Sequence, residues 1–99
     1  MRAILFSAAL VAGAATANAG DVERGGNLAL RWCVSCHVVA PDTTGGDAGP
    51  AFASVASRSG QTEQALRNWL ADPHPPMPDL GLAATEFDDI ASYIMSLKQ

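Results

Sequence analysis

The sequence predicts an all-α fold with long loops, and three observations carry that prediction. After residue 20, three segments have apolar residues at helical spacings. Each segment follows a residue of a type that caps helix N-termini. The segments between them are rich in proline and glycine, which favours loops. No stretch alternates apolar and polar residues as a half-buried strand does. We therefore expect about three to five short helices and no sheet.

The first nineteen residues have the composition of an export signal. Met1-Arg2 gives a positive start, residues 3–15 are small and apolar, and residues 17–19 match the A-x-A pattern that signal peptidase cleaves. The apolar run is shorter than the roughly 20 residues that a membrane span needs, which disfavours an uncleaved anchor. We predict a cleaved signal peptide at 1–19 and one mature domain at 20–99, located in the periplasm and not inserted in the membrane.

The charge of the chain limits its partners. Six basic and ten acidic residues give a formal charge of −4, and loss of Arg2 with the leader makes it −5. Nucleic acid requires clustered Lys and Arg, so a nucleic-acid partner is not expected, and anionic membrane surfaces are disfavoured as well. We expect a monomer whose protein partners carry a basic patch, since opposite charge attracts at long range.

The first predicted helix begins behind Asp21, which can act as its N-cap, and runs to about the turn at Cys33 and Cys36. Two adjacent glycines, Gly25 and Gly26, lie in its middle, where each costs about 1 kcal/mol relative to alanine. Such a cost is tolerated best where another backbone or a ring comes close. The residues available for its apolar face are Val22, Leu28, Ala29 and Trp32.

The later helices follow the loop at 41–50 and a short helical turn expected at 51–57. Thr62 is expected to cap a helix that ends before Pro73, with Ala65, Leu66, Trp69 and Leu70 on one side. The proline-rich segment 73–78 is then a loop. For the last helix, Thr85 is the expected N-cap and Asp88 its capping-box partner. Its apolar stripe is Phe87, Ile90, Ile94 and Leu97.

Both cysteines lie in the segment Cys33-Val34-Ser35-Cys36-His37, which three chemistries can use. A thioredoxin-like dithiol lies at a strand-to-helix junction, and this chain predicts no strands. A zinc site needs about four ligands. Cys33, Cys36, His37 and His74 are the candidates, and the adjacent Cys36 and His37 do not easily converge on one metal.

Covalent haem attachment accounts for more of the chain. In C-x-x-C-H each thiol adds to one haem vinyl group, and the histidine that follows coordinates the iron. A domain of about 80 residues has a core that rarely contributes more than ~3–5 kcal/mol, and a haem supplies further apolar surface. We predict one covalent haem c on Cys33 and Cys36, with His37 as the first axial ligand.

The second axial ligand is predicted to be Met77. Met77 lies between prolines, which restrict the backbone and hold its thioether in place, whereas Met95 is expected to pack in the core. His74, three residues earlier, stays open as a rival ligand. A thioether opposite histidine favours ferrous iron and raises the reduction potential.

The chain resembles the class I c-type cytochromes over nearly all of residues 20–99. The matching motifs occur in the order of that family and are C-V-S-C-H at 33–37, G-P at 49–50, an arginine at 58, a tryptophan at 69, M-P at 77–78 and an aromatic residue in the last helix. The resemblance implies short helices wrapped around one covalent haem, with the first and last helices crossing. Gly25 would let these two helices approach closely, against Tyr93.

The resemblance also implies three roles around the haem. The Pro50 carbonyl would accept a hydrogen bond from the outer nitrogen of His37. Arg58 would lie near a haem propionate, and Trp69 would donate its indole N–H to a propionate. This chain is acidic, whereas the mitochondrial members of the family are rich in lysine. We therefore do not expect this chain to share their partners.

The function predicted on these grounds is single-electron transfer by a periplasmic protein that is not an enzyme. One alternative is a fixed haem subunit of a periplasmic dehydrogenase or oxidase complex. Another is a gas-binding or peroxidase-like haem protein, which needs an open or easily opened iron position. The sequence contains no Ser-His-Asp set, carboxylate pair or phosphate loop that suggests catalysis by the protein itself.

Overall fold

The computed structural model describes residues 20–72 and 75–99, and its elements are helices. In chain order they are α1 (Val22–Trp32), α2 (Phe52–Ala56), α3 (Glu63–Ala71) and α4 (Ala84–Ser96). Within the described ranges there is no strand, and Val38 and Gly45 form an isolated antiparallel bridge. The all-α prediction is confirmed. The predicted signal peptide at 1–19 and the rival ligand His74 lie outside the described residues.

The starts of α1 and α3 follow from local sequence. The Asp21 carboxylate accepts the backbone N–H of Arg24 at 2.9 Å. The Thr62 hydroxyl accepts the backbone N–H of Ala65 at 3.1 Å. Each side chain satisfies one of the N–H groups that have no partner within a helix, so both predicted N-caps are confirmed.

The predicted start of α4 is wrong. Ala83, not Thr85, is the N-cap, and Thr85 lies inside the first turn. The Glu86 carboxylate accepts the backbone N–H of Ala83 at 3.0 Å, so Glu86 takes the place expected for Asp88. Asp88 instead lies 3.5 Å from the Arg67 guanidinium of α3. A carboxylate three residues after Ala83 satisfies that N–H without a hydroxyl cap, and the helix therefore begins two residues earlier than predicted.

Helices α1 and α4 cross at Gly25. A Cβ placed on Gly25 would lie 1.9 Å from the Asp89 carbonyl oxygen and 2.8 Å from Tyr93 Cβ. Real Cβ atoms do not come this close to other atoms, so only glycine allows the two backbones to touch. The close crossing that the family resemblance implied for Gly25 and Tyr93 is therefore confirmed.

Polar contacts hold the same crossing together. Asp89 of α4 is buried, and its carboxylate accepts the backbone N–H of Asp21 at 2.7 Å. The Arg24 guanidinium lies 3.6 Å from the other oxygen of that carboxylate. The Tyr93 hydroxyl donates to the Val39 carbonyl, which ties α4 to the segment after α1. Burial, followed by the nearby Asp42 carboxylate, raises the pKa of Tyr93, so the hydroxyl keeps its proton and its donor role at neutral pH.

The core lies between α4 and the other helices. Its buried apolar members are Ala29, Cys33, Val39, Phe52, Ala56, Leu66, Leu70, Ile90, Ala91 and Ile94. The stripe predicted for the last helix is confirmed, with Phe87 and Leu97 partly buried at its ends. The apolar face predicted for α1 is only half right, because Val22 and Trp32 are exposed while Ala29 is buried.

Within the described residues, none of the helices has both the length and the apolar character needed to cross a membrane.

Candidate functional site

The cysteines lie on a turn that continues directly from α1. Cys33 is the C-cap of α1, and its N–H donates to the Ala29 carbonyl at 2.9 Å. The N–H groups of Cys36 and His37 then both donate to the Cys33 carbonyl, at 3.2 and 3.0 Å. The two thiols are free, with Cys33 buried and Cys36 exposed. One turn of backbone therefore presents both thiols and the imidazole together.

The Cys33 thiol does not have the character of a redox dithiol. Burial, with a smaller contribution from neighbouring Cys36, raises the pKa of Cys33 to about 11. Reactive C-x-x-C pairs instead have a thiol pKa lowered to roughly 3.5–7.5, because the thiolate is the attacking species. The environment of Cys33 thus supports setting aside the thioredoxin-like interpretation.

One contact selects the tautomer of the neutral His37 ring. Its Nδ1 lies 2.7 Å from the Pro50 carbonyl oxygen. A carbonyl can only accept, so Nδ1 is the nitrogen that carries the proton in the neutral ring, and the lone pair of that tautomer is on Nε2. The hydrogen bond expected from the family resemblance is therefore present. It leaves Nε2 available as a metal donor.

Backbone hydrogen bonds hold the loop before α2 against the cysteine turn. The N–H groups of Gly46 and Gly49 donate to the carbonyls of Val34 and Cys36, at 2.8 and 2.6 Å. A Cβ on Gly49 would lie 2.4 Å from His37 Cε1, so the loop backbone rests on the imidazole itself. The glycine-rich composition of this loop predicted only irregular structure. The close approach that requires Gly49 depends on where the loop folds back.

Phe52 is a neighbour of His37 that the sequence analysis missed. The two ring centroids are 5.1 Å apart and the rings are inclined by 42°. Phe52 begins α2 and is 5 % exposed. The available signal was an aromatic residue two positions after Pro50, but an aromatic at a helix start is equally typical of plain core packing.

The other predicted site residues come from separate elements. Met77 lies in the loop before α4 and is partly buried against the core. Arg58 follows α2 and is exposed, and Trp69 projects from α3 with 52 % of its surface exposed. The structure groups Cys33, Cys36, His37 and Pro50 directly. For Met77, Arg58 and Trp69 a role at the iron or the haem stays a prediction.

The residues present fit a covalently bound haem. The turn offers two free thiols and one imidazole nitrogen with its lone pair available. Leu30 and Trp32, in the last turn of α1 directly before Cys33, are large apolar side chains that are 52 and 43 % exposed, so they offer apolar surface next to the cysteine turn. Zinc fits less well, since within residues 20–72 and 75–99 no three His, Cys, Asp or Glu side chains gather to hold a metal ion.

One comparison with known proteins is informative. Cytochrome c-552 of Bradyrhizobium diazoefficiens is 44% identical to this chain over 99 residues, which cover 99% of this chain and 95% of that protein. No protein-family model matches the chain, and no solved structure matches it. The likeness extends over nearly the whole of both proteins and includes the part of the chain that carries the C-x-x-C-H turn.

Proposed function

Because this chain belongs to the class I c-type cytochromes, we propose that it is a single-electron carrier with one covalently attached haem c. Cys33 and Cys36 would form the two thioether bonds, and His37 Nε2 would ligate the iron. The observation that carries the proposal is the C-x-x-C-H turn with its imidazole fixed by the Pro50 carbonyl. The haem, when bound, supplies one-electron exchange between ferric and ferrous iron.

Each residue of the turn has a separate task. The two thioethers keep the haem from dissociating, so the carrier can leave one partner and reach another without losing it. The Pro50 carbonyl keeps the proton of the neutral ring on Nδ1 and restricts the ring, so that the lone pair is on Nε2 and available to the iron. Little reorganisation of the ligand is then needed when an electron arrives.

Met77 is proposed as the second axial ligand. Its partial burial against the core limits its movement, and Pro76 and Pro78 restrict the backbone on either side. A thioether opposite an imidazole is the ligand pair that raises the potential in cytochromes c. With His74 as the ligand in place of Met77 the reduction potential would be lower, so a measured potential distinguishes the two candidates.

Arg58 and Trp69 are proposed to serve the haem propionates. A guanidinium and an indole N–H are both donors suited to a carboxylate. Both side chains are exposed, which leaves them accessible to a charged propionate edge. Trp69 would also cover part of the apolar haem surface.

We predict that the ferrous protein does not bind carbon monoxide readily at neutral pH. If His37 and Met77 occupy both axial positions, no coordination position is open to a gas or a peroxide. The measurement is the absorbance spectrum of the ferrous protein during titration with carbon monoxide. Rapid stoichiometric binding would contradict electron transfer as the role and support a gas-binding or peroxidase-like haem protein.

We propose that the protein is exported to the periplasm and that the haem is attached there. Cleavage after Ala19 would leave a mature domain at residues 20–99 in the periplasm, and the A-x-A pattern at 17–19 supports it. N-terminal sequencing of the protein isolated from its source should begin at Gly20. A protein that retains the leader would indicate an anchored form instead.

The partners are redox proteins, and we propose that they present a basic patch. Without Arg2 of the leader, ten acidic residues face five basic ones in residues 20–99, which supports this charge pattern. Electron exchange with a freely diffusing partner should then slow as ionic strength rises, because salt screens the attraction. A partner that co-purifies in fixed ratio under gentle conditions would instead support a permanent haem subunit, whereas a monomer supports the shuttle.

A further inference from the structure

We propose that Phe52 is a positioning residue that sets the rotational orientation of the His37 imidazole plane. The inference rests on the proposed function, since it concerns the residue proposed to ligate the iron. It goes beyond the hydrogen bond to Pro50, because that contact alone does not fix the plane of the ring.

The hydrogen bond leaves one motion of the imidazole free. The bond joins Nδ1 to the Pro50 carbonyl oxygen at 2.7 Å and fixes one atom of the ring. The ring can still rock about its Cβ–Cγ bond within the range that the hydrogen bond allows, because hydrogen bonds tolerate tens of degrees at the acceptor. A rigid ligand plane therefore needs contacts on the ring itself.

Two neighbours contact the ring. A Cβ on Gly49 would lie 2.4, 2.8 and 2.9 Å from Cε1, Nδ1 and Nε2 of His37, so the Gly49 backbone lies against that side of the ring. The Phe52 ring centroid lies 5.1 Å from the imidazole centroid, at an inclination of 42°. Aromatic pairs attract at such separations in tilted arrangements. The Gly49 backbone and the Phe52 ring thus limit the rocking that the hydrogen bond allows.

Phe52 is itself held firmly enough to act as a support. Its side chain is buried in the core, and its N–H donates to the Val38 carbonyl at 2.9 Å. Val38 is the residue directly after His37, so the backbones of the ligand and of its support are tied together. Motion of one relative to the other would break this hydrogen bond or open the core.

The orientation of an axial imidazole plane has an electronic consequence. The π orbital of the ring overlaps different iron d orbitals as the plane turns, and the ligand field changes with it. Ring orientation is one of the ways in which groups around a ligand tune a metal. The ferric electron paramagnetic resonance spectrum and the hyperfine-shifted haem-methyl NMR signals both report this orientation, independently of electron-transfer activity.

The test compares Phe52→Leu with Phe87→Leu in the haem-loaded protein. Both replacements remove an aromatic ring and keep apolar bulk, and Phe87 is partly buried on α4. For Phe52→Leu we expect shifted ferric g-values and an altered spread of haem-methyl signals, with the Met–haem absorbance band retained. For Phe87→Leu we expect both spectra to match those of the unsubstituted protein. Wild-type g-values and methyl shifts in Phe52→Leu would overturn the inference.

A second variant covers the case in which Phe52→Leu does not accumulate. Phe52→Met fills similar volume with a flexible chain, so it should support the core but not the ring plane, and the same spectral shifts are expected. Unchanged spectra there would overturn the inference as well. Failure of the proposed function is distinguishable, because it would appear in the unsubstituted protein, either as a missing haem c spectrum or as rapid binding of carbon monoxide.

Discussion

Replacing Met77 by leucine is expected to abolish the far-red charge-transfer band of the ferric protein and to lower its reduction potential. Leucine keeps the apolar bulk that packs against the core but has no donor atom. Axial ligands set haem potentials over a range of about 0.8 V, and we expect a drop of at least roughly a tenth of that range. Absorbance spectroscopy of the ferric protein and a potentiometric titration measure the two effects.

The matched control is His74→Ala, which removes the other candidate ligand three residues away. It should leave both the band and the potential nearly unchanged. The reverse pattern, with a large effect of His74→Ala and none of Met77→Leu, would mean that two histidines ligate the iron. That outcome would leave the haem attachment intact and change only the sixth ligand.

Replacing Gly25 by alanine is expected to destabilise the protein by about 1–3 kcal/mol, the usual cost of forcing extra atoms into a packed core, or more. The added Cβ would meet the Asp89 carbonyl oxygen at 1.9 Å. The obstacle is backbone, not the end of a flexible side chain, so α1 and α4 must move apart. Denaturant unfolding followed by circular dichroism measures the loss as a lower midpoint.

Gly26→Ala in the same helix is the control for that substitution. Its Cβ would lie 3.0 Å from Tyr93 Cε2, an atom on a side chain that can shift slightly. Alanine also favours helix over glycine by about 1 kcal/mol. We expect Gly26→Ala to be close to neutral or stabilising. Equal stability of the two variants would contradict the close helix crossing at Gly25.

Local signals explain which parts of the fold could be predicted from the sequence. Asp21 and Thr62 cap their helices through contacts to residues three positions later, so neighbouring residues decide these starts. The C-x-x-C-H segment is equally local, since one turn of backbone places its side chains together. The start of α4 was predicted wrongly because Glu86 and Asp88 could each accept the N–H of an N-cap residue. Glu86 accepts the N–H of Ala83, whereas Asp88 forms an ion pair with Arg67 of α3.

Contacts between distant residues explain most of what sequence reasoning could not reach. Phe52 meets His37 only because the intervening loop folds back along the cysteine turn through backbone hydrogen bonds. Trp32 was expected on the buried face of α1 and is exposed beside the cysteine turn. Helical spacing counts every apolar residue as a core candidate. It does not separate those that pack against protein from those suited to pack against a cofactor.

The pyridine haemochrome spectrum of the purified protein tests the central claim most directly. The spectrum depends on whether the haem vinyl groups have been saturated by thiol addition. Attachment through Cys33 and Cys36 predicts the spectrum of a haem with two thioether bonds, and a haem that acidified organic solvent does not extract. A spectrum with free vinyl groups, an extractable haem or no haem at all would contradict the account.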